Sequence, residues 1–409
     1  MALLKNVKKE TWRSNLVILW FGTFMTGVGL SLIAPFLSLY INTLGNYTTA
    51  ELNTWSGVIF ASTFIANALT APWWGKLADR RGRKLMLLRA SFMMGLCIFL
   101  MGLVSSAPQL LVLRILLGCF SGFISNSIAL MAVSAPKTKS GQVLSTLTTG
   151  SVSGTLLGPI LGGIIVGLVG YRLVFFITGI IMFIVFFLTL FFVKENFVKP
   201  TKKQNLGFKQ LKPLLRNPLI ISMLLTTLIV QITNQSINPL LSLYVRELLA
   251  SPHNLTLFSG MVASAPGITT LVAAPLFGRL GDRIGQRKIL ASGLVVSLIL
   301  FVVMGCVVNV YQLIGVRLLV GVSDAMILPQ VQALLAKNTP NEATSRIFSF
   351  NQSAQAGGAF LGPVIGSMVA NIFSDYRFIF YSSALFIIIN IINNQIFVKK
   401  QTATNETNS

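Results

Sequence analysis

Twelve stretches of this chain are long and apolar enough to cross a bilayer as helices, and that excludes most other folds. A span needs about 20 apolar residues at a rise of ~1.5 Å each. The stretches are 16–41, 54–75, 85–104, 108–133, 143–168, 173–193, 218–245, 258–279, 289–308, 311–335, 347–371 and 378–398. They are apolar on nearly every face, unlike helices that lie on a membrane surface. Barrel strands would be about 9–11 residues long and would alternate in polarity, and these stretches do neither. Only 10% of residues are charged and 54% are hydrophobic, where a soluble domain carries roughly 25% charged. So small a supply cannot cover a surface that faces water. The expected fold is an all-α polytopic membrane protein of twelve transmembrane helices, with the lipid bilayer as its solvent. The first stretch follows Lys5, Lys8, Lys9 and Arg13. It exceeds a signal-peptide core of about 7–15 residues, so it is expected to stay as a spanning helix.

The charges give a topology. There are 32 Lys plus Arg against 10 Asp plus Glu, a net +22. The N-terminus, every second connection and the C-terminal tail carry 27 of the 32: 4 before the first span, then 6, 2, 7, 4 and 2, and 2 after the last. The other side holds Arg172, Arg246 and Arg377, while Arg114 and Arg317 lie inside spans. Basic residues collect on the cytoplasmic side, so both termini are expected there, in a bacterial cytoplasmic membrane. Dispersed over short loops, these charges form no groove for nucleic acid. Cys97, Cys119 and Cys306 fall in apolar stretches and read as small hydrophobes.

The chain repeats itself. GKLADRRGRK from Gly75 matches GRLGDRIGQRK from Gly278, and LRILLG from Leu113 matches VRLLVG from Val316, both at an offset of 203. APFLSLY from Ala34 matches NPLLSLY from Asn238, and GPILGG from Gly158 matches GPVIGS from Gly362, both at 204. Tyr171-Arg172 matches Tyr376-Arg377 at 205. Ordered matches at one offset mark a duplication. Two pseudo-symmetric six-helix bundles are expected, residues 1–193 and 218–409, joined by a cytoplasmic linker at 194–217 that holds seven Lys or Arg, Pro200 and Pro213. A repeat of like topology suits alternating access about a central site.

Several residues stand out against that scaffold. Gly75 and Gly82 permit tight turns, and Asp79 sits among Arg80, Arg81, Arg83 and Lys84. The second half repeats the pattern with Asp282 and Arg283. This loop reads as a charge-paired latch on the cytoplasmic face. In the fifth span, Gly154, Gly158, Pro159, Gly162 and Gly163 suit close helix packing and a bend. Arg114 and Arg317 are repeat-equivalent, but Asp324 faces Ser121 across the repeat, so the duplicated fold does not require the acid. An intramembrane carboxylate is a functional-site hypothesis, here a proton or cation site, with a structural partner for Arg317 or for a neighbouring helix as the plainer reading. Amides at Asn126, Gln231, Asn234, Gln235, Asn238, Gln330, Asn351 and Gln355 either join helices or line a cavity. No nucleotide-binding GxxxxGK[ST] occurs. The one histidine, His253, is in a connection, and neither a metal cluster nor a catalytic dyad assembles. No enzyme and no cofactor are expected.

These motifs resemble the major facilitator superfamily, in particular its twelve-helix drug:proton antiporter group, over residues 13–398. The loop GKLADRRGRKLML is similar to the family's GxLaDRxGRkxxl. Arg114, Gly118 and Gly122 match the family's fourth-helix motif, with Leu117 where a glutamine is usual. Gly154, Gly158, Pro159, Gly162 and Gly163 match gxxxGPxxGG, which the family associates with export by antiport. WSGVIFASTF from Trp55 resembles bacterial multidrug efflux members. The resemblance implies a monomer that exports amphipathic small molecules in exchange for protons, driven by the proton gradient alone. Several members carry an acid in the first span. This one carries none, which leaves Asp324 as the coupling candidate with Arg114 and Arg317. Uniport or proton symport of a metabolite, and a non-transporting receptor or scaffold, are the alternative readings.

Overall fold

A computed structural model describes residues 2–136, 139–195, 197, 217–249 and 254–406. Most of the 194–217 linker and His253 lie outside the described residues. Among these, the longer elements are helices: α1 (Ala2–Ser31), α2 (Leu37–Asn42), α3 (Thr49–Arg81), α4 (Arg83–Met101), α5 (Ala107–Phe120), α6 (Phe123–Ser134) and α7 (Ser140–Phe192). They continue as α8 (Pro218–Ser236), α9 (Leu241–Leu248), α10 (Leu255–Ile284), α11 (Gln286–Gly305), α12 (Val310–Lys337), α13 (Asn341–Phe373) and α14 (Arg377–Glu406). Among the described residues, ten helical segments are long and apolar enough to cross a membrane. Leu69, Leu168, Val272 and Ile372 stand exposed on outer faces, as lipid contact requires. α7 has 53 residues, ~80 Å if straight, against a hydrocarbon core of ~30 Å. It turns at Gly170, whose φ of +79° suits a residue without Cβ.

Three expected spans are interrupted. The stretch 16–41 breaks between α1 and α2 at a 3-10 turn, Ala34–Phe36, and 218–245 breaks between α8 and α9 at Asn238–Leu240. Pro35 and Pro239 sit in these turns, and proline has no N–H to continue the ladder. Beyond each break a buried tyrosine ties the chain down: Tyr40 donates to the Met101 carbonyl at 2.6 Å and Tyr244 to that of Met304 at 3.4 Å. The third break divides 108–133 into α5 and α6 at Ser121 and Gly122 (φ +120°). Its counterpart 311–335 runs unbroken in α12.

Two other helices outrun their expected ends. α3 continues to Arg81 and α10 to Ile284. The loop expected to begin at Gly75 therefore shrinks to Gly82, at φ +93°, mirrored by Gly285 at φ +103°. Gly75 makes no turn. It lies inside α3 with open space around it, because the helical ladder remains the cheapest way to satisfy its backbone groups.

The fifth-span glycines form a packing seam. A Cβ on Gly154 would meet the Phe24 carbonyl, one on Gly158 the Ser31 hydroxyl, and one on Gly162 the Leu32 carbonyl. Gly27 of α1 answers with 2.6 Å to the Ser151 carbonyl. Helices can approach backbone to backbone only where side chains vanish. The second half repeats the seam between α13 and α8, where Gly358, Gly362 and Gly366 face the carbonyls of Leu228, Ile232 and Ser236. Gly163 approaches Thr256 instead, at 2.5 Å.

The chain divides into two compact units. The first holds 1–47, 62–202 and 254–261, with α1 and α4 packed on α7. The second holds 48–61, 203–253 and 262–409, with α8 against α13 and α14, and α11 against α12 and α14.

Two alanine substitutions separate packing from backbone freedom. Gly154→Ala forces α1 and α7 apart, at ~1–3 kcal/mol for an overpacked contact, and is expected to lower the thermal midpoint in detergent by several degrees. Gly75→Ala meets nothing and is expected to leave the midpoint unchanged or slightly raised, since glycine inside a helix costs about 0.5–1 kcal/mol relative to alanine. A thermal scan of both variants is the measurement.

Candidate functional site

Near the midpoint of α12, Asp324 is buried. Asn234 of α8 donates from Nδ2 to both carboxylate oxygens, at 3.1 and 3.0 Å. Four residues on, the Asn238 amide donates to Gln235 Oε1. The α8 break thus stands beside the acid. A carboxyl group at mid-membrane costs ~2.5–3.5 kcal/mol even on insertion scales, and the amide offsets part of that by hydrogen bonding. Of the two partners in the plainer reading, the hydrogen bonds come from the neighbouring helix, while buried Arg317 donates from Nε to the Val262 carbonyl at 3.2 Å. Arg114 is likewise buried, and its Nε has no hydrogen-bond partner. The Arg114 carbonyl accepts from the Thr63 hydroxyl at 3.3 Å.

The remaining amides divide by what they touch. Gln330 is buried and donates to the Phe277 carbonyl at 2.8 Å, filling the space beside Gly281. Asn351 accepts from the Thr227 hydroxyl at 2.6 Å. These two join helices within the second unit, each through one atom of its amide. Asn126 turns back on its own helix and donates to the Gly122 carbonyl at 2.8 Å. Gln231 and Gln355 are half-buried, with Gln231 lying along Gly358.

At the loop, Asp79 pairs with Arg83 at 3.6 Å, one turn apart. In the second half, Gln286 replaces that arginine and donates to Asp282 Oδ1 at 3.1 Å, so the motif keeps its contact and loses its charge pair. Arg80 is exposed and Arg283 likewise. Sequence reasoning missed Glu195. Its carboxylate accepts from the backbone N–H of Arg83 at 2.8 Å and of Lys84 at 2.7 Å. Gly82 caps α4 without a side chain of its own, and the acid takes up two orphan donors at the positive end of the helix. Asn15 holds this segment through a reciprocal pair with the Lys194 backbone, 2.7 and 3.0 Å. The only signal in the sequence was one acid in a basic run.

A second missed cluster lies at the opposite end of α3. Asn53 donates to Asn371 Oδ1 at 3.0 Å and accepts from the Tyr376 hydroxyl at 3.2 Å. Asn371 donates onward to Thr54 and to the Ala50 carbonyl. All of these residues belong to the second unit. Burial pushes the Tyr376 hydroxyl up to about 12, so it stays a donor at neutral pH.

Among the described residues no group of three metal-ligating side chains forms. Long apolar helices, proline-broken spans and a buried carboxyl held by an amide define a polytopic membrane transporter. The Major Facilitator Superfamily model matches residues 19–248 and 223–409, and the chain belongs to that superfamily. It is 45% identical over 382 residues to the multidrug resistance protein MdtG of Salmonella heidelberg (strain SL476), covering 93% of this chain and 94% of that one. The MdtG of Salmonella arizonae matches equally well, 45% over the same length. In fold it is similar to a bacterial homolog of the human lysosomal transporter Spinster, with a TM-score of 0.81 at 14% identity over 95% of this chain and 97% of that one. The nucleoside transporter NupG follows at 0.79 and 13%, covering 94% and 99%.

The loop contacts predict different outcomes for two acids. Glu195→Ala uncaps α4, worth ~1 kcal/mol, and is expected to lower the thermal midpoint and to slow transport. Asp79→Asn breaks an exposed pair worth ~0–1 kcal/mol, so its midpoint should hold while transport slows. Initial rates equal to wild type for Asp79→Asn would remove the latch.

Proposed function

We propose that this protein exports amphipathic, chemically varied small molecules across the bacterial cytoplasmic membrane in exchange for protons, with Asp324 as the proton-binding group. The carrying observation is the Asn234–Asp324 contact. As a carboxylate, Asp324 accepts both hydrogen bonds from one amide. Protonated, it gains a donor and keeps its carbonyl oxygen as the better acceptor, so the symmetric contact with Asn234 gives way to a one-sided one. Asn234 sits two residues before the end of α8, where the helix breaks. Proton binding and helix geometry are thus mechanically linked. A transporter couples two ligands when each favours a different facing state. Arg317, and Arg114 at the matching place in the first half, supply fixed positive charge.

The substrate class rests on the MdtG relatives and on the helix-five glycine motif. A polar metabolite would need many free hydrogen-bonding groups, and Gln330, Asn351, Asn234 and Gln235 each spend one amide atom on a protein partner. That reduces the polar groups left for sugar-like uptake and supports export of amphipathic compounds. Joining α1 with α2, α5 with α6 and α8 with α9, and dividing α7 at Gly170, turns the fourteen described helices into twelve spans, α3 among them. The shared tyrosine ties and glycine seams support two pseudo-symmetric bundles, 1–193 and 218–409, about the 194–217 linker. The protein works as a monomer with both termini in the cytoplasm, the side the positive residues mark.

Two experiments test this. In a cysteine-free background, Lys203→Cys and Asn254→Cys are exposed to a membrane-impermeant maleimide. Only the Asn254 position should react in sealed cells, and reaction at Lys203 would overturn the topology. For coupling, Asp324→Asn keeps nearly the same volume but cannot carry a proton. With ethidium as the probe in proteoliposomes, pH-driven transport should fall to background while counterflow between equal pools persists. Full pH-driven transport by Asp324→Asn would remove Asp324 from the mechanism.

A further inference from the structure

We infer that Arg89 is a positioning residue that clamps a hinge in the fourth transmembrane helix, holding α5 and α6 apart at Ser121–Gly122. The charge tally counts Arg89 with the loop after the second span. The structure puts it within α4, half-buried, on the flank of the fourth span. Its Nη2 donates to the Phe120 carbonyl at 3.3 Å and to the Ser121 carbonyl at 3.1 Å. Its guanidinium lies over the Trp74 ring at 3.6 Å from the centroid. Another carbonyl freed by the break is taken up in the same way. Cys119 accepts from Trp74 Nε1 at 2.7 Å and from the Thr70 hydroxyl at 3.1 Å. The Gly122 carbonyl is not freed: it accepts the first backbone bond of α6 from Asn126 N–H at 3.1 Å, with the Asn126 amide added at 2.8 Å. An open backbone carbonyl in hydrocarbon costs several kcal/mol, so a break at this depth persists only while side chains serve it.

The duplication supplies the control. At the offset of 203, Thr70, Trp74, Arg89 and Gly122 become Ala273, Phe277, Ser292 and Ala325. The second half has lost the hydroxyl, the indole N–H, the guanidinium and the glycine together. There α12 is continuous, and the Ser292 hydroxyl serves its own helix at Ile289. Gly122 at φ +120° is a conformation that alanine rarely takes. Where the second half carries Asp324 in a whole helix, the first half carries a clamped break. The two halves therefore differ in mechanics as well as in charge. Without Arg89, the carbonyls of Phe120 and Ser121 regain partners by resuming the helix, through the N–H groups of Ile124 and Ser125.

Spin labels read this directly, and the distance needs no knowledge of substrate or of coupling. In the full chain with Cys97, Cys119 and Cys306 replaced, Val112→Cys and Val133→Cys place labels on exposed positions of α5 and α6. An unbroken helix of that separation spans about 31 Å, and Gly315→Cys with Ala336→Cys gives the equivalent pair in α12. The wild-type fourth helix is expected to give a shorter distance than this pair. Arg89→Gln and Gly122→Ala are each expected to lengthen it toward the control and to slow ethidium counterflow together. Trp74→Phe, the residue the second half carries, should produce a smaller lengthening, and it carries the test if Arg89→Gln fails to insert. Distances in Arg89→Gln, or in Trp74→Phe where that variant carries the test, that stay at the wild-type value would overturn the clamp. So would a wild-type distance equal to the control pair. Lengthening with unchanged counterflow would overturn its role in the transport cycle.

Discussion

The bilayer leaves backbone polar groups nothing to bond with but the protein itself, and the departures from regular helix in this chain follow from how that demand is met. Long helices meet it internally. Where the ladder stops, at Ala34–Phe36, Ser121–Gly122 and Asn238–Leu240, the structure brings other groups to the exposed carbonyls or tucks the break against a tied tyrosine. The breaks at Pro35 and Pro239 are symmetric across the duplication. The break at Ser121 is not, because the residues that serve it occur once.

Close packing is the second consequence. In lipid, apolar side chains gain little by leaving their solvent, so helix association rests on contact area and small residues. The α1–α7 and α8–α13 seams bring backbone against backbone through glycine, one seam in each half. The glycine motif of the fifth helix therefore has a mechanical role that its partner shares. The proline contact is shared too: a Cβ on Gly260 would fall on the Pro159 carbonyl, and one on Gly57 on the Pro363 carbonyl.

Against this repeated frame the functional groups are the exceptions. Asp324, Arg89, the Asp79–Arg83 pair and Glu195 have no like-charged equivalent in the matching positions described here, apart from Asp282 for Asp79. Under the proposed antiport, unequal charges and one clamped hinge are what let a proton and a substrate favour different states.

Helical class, the span positions and the repeat were legible because they depend on local composition and period, which a sequence states outright. So were Asp324 as an anomaly and the pairing of Asp79 with Asp282. The sequence by itself could not show that Gly75 is helical, that Arg89 bonds to the Phe120 and Ser121 carbonyls, or that Glu195 caps α4. Nor could it show that Asn234, not Arg317, holds Asp324. Each of these is a choice of partner between residues far apart in the chain, among several of suitable chemistry. Only tertiary structure decided them, because a buried donor or acceptor bonds to whatever packing brings within about 3 Å, and packing is a property of the whole fold.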